Sequence, residues 1–232
     1  RSSRQLGCCW EDLRMSKPPS VLIDGPSDAR ATVLLAHGAG APMDSPFMAA
    51  MAMGLAGCGW RVVRFEFPYM AQRRLDGKQR APDRLPKLLE AFREQVSAVQ
   101  GQGSGAPLVI GGKSMGGRLA SLLVDELAAS AGVLGCLCLG YPFHPPGKPD
   151  QLRTEHLRSL VTPTLILQGE RDSFGKRAEV ETYALSTAIQ LGWITSGDHS
   201  FKPTRSSGLC EADNWQSAVT IANQFMQRVL AA

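Results

Sequence analysis

The sequence predicts an α/β protein in which a mostly parallel sheet is covered by helices on both faces. Three observations favour this class. Short apolar runs alternate along the chain with longer segments of helical period, as βαβ units require. The segment Ala31–Ala36 is a continuous apolar run, which is typical of a strand buried on both faces. A stretch rich in Gly and Pro, residues 101–107, separates two such units.

Each element is predicted from its local pattern of apolar residues. The segment after residue 114, for example, carries four leucines on one helical stripe, which indicates a helix packed on the sheet. The predicted strands are Val21–Ile23, Ala31–Ala36, Arg61–Phe67, Leu108–Gly111, Val133–Leu139, Thr164–Gln168 and Ile189–Thr195. The predicted helices are Ser45–Ala56, Asp83–Val99, Ser114–Ala128, Arg177–Ser186 and Asn214–Leu230.

Length and composition predict one globular domain. The chain has 232 residues, of which 44% are hydrophobic and 20% are charged. Residues 1–14 show neither helical nor strand period, and Met15 opens a plausible native start. We therefore interpret residues 1–14 as a non-native or disordered tail and residues 15–232 as a single domain.

Charge and cysteine usage exclude several classes of function. The net charge of +4 comes without a dense basic stripe, so we expect no nucleic-acid partner. No run approaches the roughly 20 apolar residues of a spanning helix, so we expect no membrane partner. The six cysteines form neither a CxxC pair nor a metal-ligand spacing. This pattern favours reduced thiols in a cytoplasmic protein without a metal site.

A candidate nucleophile lies in Gly112-Lys113-Ser114-Met115-Gly116, between a buried strand and a helix. This is the G-x-S-x-G elbow in the strand–turn–helix context that gives the pattern its meaning. The glycines are required because strand and helix cross there without room for a Cβ atom. The same residues resemble the end of a phosphate-binding loop, but the first glycine of that motif would fall at Pro107. The elbow is therefore the better interpretation.

A serine nucleophile needs a base and a carboxylate that orients the base. In the chain order Ser, acid, His, the acid follows a late strand, and Asp172 stands just after Thr164–Gln168. His199 follows the next strand, and it is the histidine of the four that fits this order. Glu170 and Asp198 are alternative acids.

An oxyanion hole requires two backbone N–H groups beside the serine. One is predicted from Met115, the residue after the nucleophile. The second is predicted from the glycine-rich loop after Ala36, with Ala39 favoured and Gly40 as the alternative. His37, at the start of this loop, contacts the substrate or, as the simpler interpretation, holds the loop by hydrogen bonds.

These motifs together resemble the α/β-hydrolase superfamily from Val21 onward. The segments HGAGAPMDSPFM, FPYM, GGKSMGGR, LRTEHL, QGERDSFG and GDHSF are similar to one compact branch. This branch contains predicted hydrolases akin to dienelactone hydrolase. The branch is also related to a regulatory subunit of a eukaryotic histone-acetyltransferase complex and to testis-expressed homologues. The resemblance implies an α/β-hydrolase fold and the three catalytic positions, but no substrate. Dienelactone hydrolase has cysteine at the elbow where this chain has Ser114, which argues against a dienelactone substrate.

The surroundings of the site are predicted less sharply. The short connection between Leu139 and Thr164 leaves no room for a large lid, so we expect an open site for small substrates. We expect a loop at Gln72–Arg84, whose Arg73 and Arg74 would either recognise an anionic substrate group or lie on a solvated surface. The residues expected to line an acyl pocket, or alternatively to lie in the core, are Pro42, Met43, Phe47, Tyr69, Met70, Tyr141, Phe143 and His144.

The sequence thus predicts a serine hydrolase acting on a small-molecule ester or thioester, with no metal or organic cofactor. Two alternatives stay open. One is a protein–protein interaction module of the same fold with a vestigial triad. The other is an acyltransferase that uses the same residues.

Overall fold

The computed structural model describes residues 21–101 and 106–231. Within these residues, strands and helices alternate in the predicted way. The strands are β1 (Val21–Asp24), β2 (Thr32–Ala36), β3 (Arg61–Phe65), β4 (Leu108–Lys113), β5 (Val133–Leu139), β6 (Thr164–Gly169) and β7 (Ile189–Ile194). The helices are α1 (Pro46–Gly57), α2 (Pro68–Asp76), α3 (Leu85–Gly101), α4 (Met115–Ala131), α5 (Arg177–Val180) and α6 (Glu211–Ala231). The predicted tail, residues 1–14, lies outside the described residues.

The seven strands form one sheet in the order β1-β3-β2-β4-β5-β6-β7. Strand β1 pairs antiparallel with β3 at one edge, and the remaining neighbours are parallel. The predicted fold class, a mostly parallel sheet in an α/β protein, is confirmed. Strand β4 lies at the centre, so the residues after its carboxyl end stand at the middle of the sheet edge where such folds bind ligands.

Helices cover both faces of the sheet, as predicted. On one face, α1 and α6 pack on strand side chains such as Val33, Leu35 and Leu165. On the other face, α2, α3 and α4 pack on a second set that includes Leu34, Val63 and Ile110. These strands are buried on both faces, which explains why their sequences are continuous apolar runs without alternation.

The connection between β5 and β6 contains a single 3₁₀ turn, His156–Arg158, and the described residues include no large lid. The edge of the sheet that carries the ends of β4 and β5 is therefore not roofed by a separate subdomain. Among the described residues, no helix combines the length and the apolar character needed to cross a membrane.

Two predicted elements are wrong. The predicted loop Gln72–Arg84 begins as the second half of α2, because Pro68 and Tyr69 start a helix directly after β3. The predicted helix Arg177–Ser186 stops at Val180, where the chain turns back so that the Ser186 N–H donates to the Leu157 carbonyl. A tertiary hydrogen bond therefore overrides the local helical pattern.

Candidate active site

Ser114 stands at the sharp turn between β4 and α4. Its backbone has φ 52° and ψ −113°, a conformation that non-glycine residues rarely adopt and that costs of order 1–3 kcal/mol. A Cβ atom on Gly112 would lie 2.4 Å from the Ala36 carbonyl oxygen, and one on Gly116 would lie 2.5 Å from the same atom. The crossing of strand and helix thus requires both glycines, as the elbow motif predicts.

The structure brings Ser114, His199 and Asp172 together in one line of hydrogen bonds. The Nε2 atom of His199 lies 2.9 Å from the Ser114 hydroxyl oxygen. The Nδ1 atom of His199 lies 2.7 Å from Oδ2 of Asp172. The three residues follow three different strands, β4, β6 and β7, and meet at the carboxyl edge of the sheet. This is the placement that the sequence predicts for each of them.

Asp172 is fully buried, and its remaining hydrogen-bonding capacity is used by fixed donors. Its Oδ2 also accepts from the Gln168 side-chain amide at 2.9 Å, and its Oδ1 accepts from the Phe174 N–H at 2.8 Å. Gln168 is held in turn by the backbone of Tyr141. These contacts orient the carboxylate toward His199 and compensate for its removal from water. The two alternative acids bond to other groups. Glu170 pairs with Arg177, and Asp198 accepts backbone N–H groups.

His199 is oriented by contacts on three sides. The ring of Phe174 stacks on its imidazole at 4.2 Å, and the buried ammonium group of Lys113 donates to its carbonyl oxygen at 2.6 Å. Burial lowers the pKa of His199, and the charge of Lys113 adds to this effect, whereas the hydrogen bond to Asp172 opposes it. The resting imidazole is therefore neutral at pH 7, which leaves Nε2 able to accept a proton from Ser114.

Lys113 itself is 8% exposed and lies beside the ring of Phe47, with its nitrogen 5.3 Å from the ring centre. Burial lowers its pKa to about 8, while the charges of Asp172 and Asp198 counteract the shift. The sequence pattern identifies Lys113 only as a residue of the elbow. The structure shows that it ties the nucleophile strand to the histidine loop.

The glycine-rich loop after β2 lies against the elbow. A Cβ atom on Gly38 would be 3.7 Å from that of Ser114, and Ala39 and Gly40 line the same cleft as Ser114. Among the described residues, no acceptor is bonded to the backbone N–H groups of Met115, Ala39 or Gly40. These groups are therefore free to donate to an oxygen atom bound in front of Ser114.

A cleft of about 560 Å³ opens directly beside Ser114 and His199. Its walls are largely apolar and include Phe47, Met48 and Trp215, with Glu211 at its border. A volume of this size suits a small ligand. Of the residues expected to line an acyl pocket, Phe47 does line the cleft.

Several of the expected site residues do not line this cleft. Tyr141 and Phe143 are fully buried in the core, where the Tyr141 hydroxyl donates to the Arg153 carbonyl. His144 is 3% exposed and is bonded to Pro145 and Glu179. His37 is fully buried, contacts the Gly38 carbonyl through Nδ1 and accepts the Phe67 N–H through Nε2. These rings brace the loops behind the site, so the expectation of direct substrate contact is corrected.

The two arginines expected to bind an anionic substrate are also placed elsewhere. Arg74 forms ion pairs with Asp44 and with the nearly buried Glu66. Arg73 reaches the Gly40 carbonyl at 3.5 Å and borders a separate small depression with Pro42 and Met70. Arg74 is thus already neutralised by carboxylates, which the count of basic residues in the sequence could not show.

A second serine–histidine contact requires separate consideration. Ser121 Oγ lies 2.9 Å from His156 Nε2, but it is 1% exposed and donates to the Arg118 carbonyl. Burial and, to a smaller extent, the charge of Arg118 together lower the pKa of His156 to about 4. In the described part of the chain no carboxylate is bonded to His156. This pair lacks both access and an orienting acid.

Sequence reasoning missed Gln168 and Phe174, which fix Asp172 and His199. Gln168 had a detectable signal, because it is a polar side chain near the end of an otherwise apolar strand, TLILQG. Phe174 had no detectable sequence signal beyond its position two residues after Asp172. Among the described residues, no three His, Cys, Asp or Glu side chains are grouped in a way that could hold a metal ion.

Comparison with solved structures places this geometry among known folds. Est1E from Butyrivibrio proteoclasticus has a TM-score of 0.67 at 13% identity, covering 91% of this chain and 94% of that one. Dienelactone hydrolase from Anabaena variabilis has a TM-score of 0.67 at 19% identity, covering 90% of each chain. An α/β serine hydrolase without a lid from Xanthomonas campestris has a TM-score of 0.64 at 19% identity, covering 91% and 89%. At these identities the likeness shows the shared fold.

Family membership is shown by the sequence itself. The family model described as "Alpha/beta hydrolase domain" matches residues 29–227, which span every strand from β2 to β7 and all six helices except the last turn of α6. The matched range includes the elbow, the acid and the histidine loop. The chain therefore belongs to the α/β-hydrolase domain family.

Proposed function

We propose that the protein is a serine hydrolase that cleaves a small carboxylic ester or thioester through an acyl-enzyme intermediate. The observation that carries the proposal is the unbroken sequence of hydrogen bonds from Ser114 through His199 to Asp172. Each role in such a triad has a residue of the correct chemistry at bonding distance.

The proposed reaction begins when Ser114 Oγ attacks the acyl carbon and His199 Nε2 takes the hydroxyl proton. The Nδ1–H of His199 donates to Asp172, which stabilises the imidazolium that forms. The N–H groups of Met115 and Ala39, with Gly40 as the alternative donor, would stabilise the oxyanion. His199 then protonates the departing alcohol or thiol. Water repeats the sequence on the acyl-enzyme and releases the acid.

The cleft supports a small substrate. Its volume of about 560 Å³ and its apolar walls fit a short acyl or alkyl group rather than a long chain. No large lid formed by the described residues covers the edge of the sheet, so a substrate can enter past them without a domain opening. The intact geometry also favours an enzyme over an interaction module, since such a module gains nothing from a bonded Ser–His–Asp array.

We further propose a cytosolic protein with a small-molecule acyl substrate. The four cysteines of the described residues are all free, which agrees with a reducing compartment. Fractionation of cells with an antibody to the protein tests the location.

The activity is tested with chromogenic esters and matched thioesters of two to eight carbons in the acyl group. We expect turnover that is fastest for the short members, with a pre-steady-state burst close to one product per protein molecule. Added alcohol distinguishes the acyltransferase alternative, because transfer would produce a new ester in preference to the acid. Absence of turnover on the whole series by folded protein would contradict the proposal.

A further inference from the structure

Arg118 and Arg153 have no counter-ion in the part of the chain that the structure describes. The guanidinium groups of Arg118 and Arg153 make no hydrogen bond and no ion pair with any described residue, although both side chains are partly buried. The Nε atom of Arg118 is fully buried without a partner. An unpartnered buried donor is rare in native proteins, and a bound anion is one way to satisfy it. The Nε atom of Arg64 is also unpartnered, but that guanidinium bonds to Asp24 and Met43, whereas the Arg118 guanidinium has no partner among the described residues.

Arg118 is positioned by the elbow. It lies in the first turn of α4, and its N–H donates to the Ser114 carbonyl at 3.0 Å. The charge of Arg118 acts on Arg153 and on His156, so its guanidinium lies near these two residues of the β5–β6 connection. Ser114 is the N-cap of α4, so the backbone of Arg118 lies about one helical turn from it.

Arg153 reaches the same region from the connection between β5 and β6. Its N–H donates to the Phe143 carbonyl at 2.7 Å, and its own carbonyl accepts the Tyr141 hydroxyl at 2.9 Å. Burial lowers the pKa of Arg153, and the charge of Arg118 is close enough to lower it further. Two guanidinium groups are thus held near each other by a fixed backbone.

The neighbouring groups offer no compensation. His156, bonded to Ser121, faces the same region, and its pKa is lowered by burial and by Arg118. Asp125, the carboxylate two turns along α4 from Arg118, accepts the N–H groups of Val161 and Thr162 instead. Like charges gathered in a partly buried place are costly unless an anion joins them.

We infer that Arg118 and Arg153 form a binding site for an oxyanion group of the substrate, a carboxylate or a phosphate. Neither arginine lines the apolar cleft, and the backbone of Arg118 is one helical turn along α4 from Ser114. In this proposal the acyl group lies in the cleft, and the anionic group of the same substrate lies on the two arginines. Guanidinium groups suit this task because they bind such groups through paired, charge-assisted hydrogen bonds. The inference deepens the proposed function and rests on it.

The kinetic test compares 4-nitrophenyl esters of hexanoic acid and of adipic acid, which differ by a terminal carboxylate. We expect the wild-type kcat/KM to favour the adipate ester. In Arg118→Gln and in Arg153→Gln, the adipate-to-hexanoate ratio of kcat/KM falls at least about tenfold, chiefly through KM. Arg118→Lys keeps part of the preference. The control Arg80→Gln removes an equal charge from an arginine paired with Asp76 and leaves the ratio unchanged.

A binding test stands apart from catalysis. Calorimetric titration of Ser114→Ala with adipate and with inorganic phosphate is expected to show binding that Arg118→Gln abolishes. The tighter of the two anions identifies the group. If esters are not hydrolysed but this binding is observed, the proposed function fails and the anion site stands. If Arg118→Gln, folded by circular dichroism, keeps the wild-type ester ratio and the titrations show no Arg118-dependent binding, the inference is wrong.

Discussion

Two groups of ionisable side chains, one at the site and one on the segment after β3, are built in opposite ways. Behind Ser114, the Asp172 carboxylate is fully buried and is contacted by His199 and Gln168. On the arginine-rich segment, residues 72–84, Arg80 pairs with Asp76 at the surface. Both groups contain short contacts between acids and bases.

The difference between the two groups is access to water. In the buried group, a change in the charge of one residue shifts the pKa of its neighbours, because little solvent screens the interaction. On the arginine-rich segment, water and salt replace most of what an ion pair supplies. The comparison teaches that the density of charged residues in a sequence does not locate a functional site. Burial and the set of partners do.

The largest effect is expected from Ser114→Ala, which removes the proposed nucleophile. We predict a fall in kcat of about 10⁴–10⁶ with the fold retained, because the serine hydroxyl contributes no packing that alanine lacks. Steady-state hydrolysis of a short chromogenic ester measures it. Retention of more than a tenth of the wild-type kcat would show that Ser114 is not the nucleophile and that the buried group is not the catalytic one.

Asp172→Asn tests the buried carboxylate. An amide at this position favours the wrong tautomer of His199, so we predict a fall in kcat of about 10⁴. Asp76→Asn is the matched control on the arginine-rich segment and should change kcat less than twofold. Similar losses in both variants would show that burial does not distinguish the two groups.

The pH profile tests the coupling of His199 to Lys113. Hydrolysis requires a neutral His199, and its pKa is lowered by burial and by Lys113, so the acid limb of kcat/KM should lie below pH 6.5. Lys113 is charged in this range because its pKa is about 8. Lys113→Met removes a charge that opposes the imidazolium, so the acid limb should move to higher pH. A shift to lower pH would contradict the assigned cause.

The smallest effect is expected from Arg74→Gln. Arg74 pairs with Asp44 and Glu66 at the border of the arginine-rich segment and lies outside the cleft. We predict a loss of about 1 kcal/mol in the free energy of unfolding and less than a twofold change in kcat/KM for neutral and anionic esters alike. Urea denaturation and the paired esters measure the two quantities. A selective rise in KM for the anionic ester would restore Arg74 as a substrate ligand.

Much of the fold was predictable because the inner strands β2, β4, β5 and β6 are buried on both faces and are therefore largely apolar. The elbow was predictable for a similar reason. Its strand and helix cross too closely for a Cβ atom, so the sequence must have glycine at positions 112 and 116. The positions of Asp172 and His199 followed from the order of the strands. In each of these cases a local pattern reports a requirement of the whole fold.

The rest depends on contacts between distant segments, which leave no local pattern. Tyr141 and Phe143 look equally suited to a pocket wall or to the core, and only the packing of the β5–β6 connection decides. Arg74 and Arg118 are the same residue type, yet carboxylates surround one and not the other. The stacking of Phe174 on His199 likewise depends on how two loops meet.

The central claim, that Ser114 is an activated nucleophile, is tested most directly by labelling the folded protein with a fluorophosphonate probe. Peptide mapping by mass spectrometry then locates the adduct. The account predicts one adduct, on Ser114, that is absent in Ser114→Ala and strongly slowed in Asp172→Asn. No adduct in folded protein, or an adduct on Ser121 in place of Ser114, would contradict it.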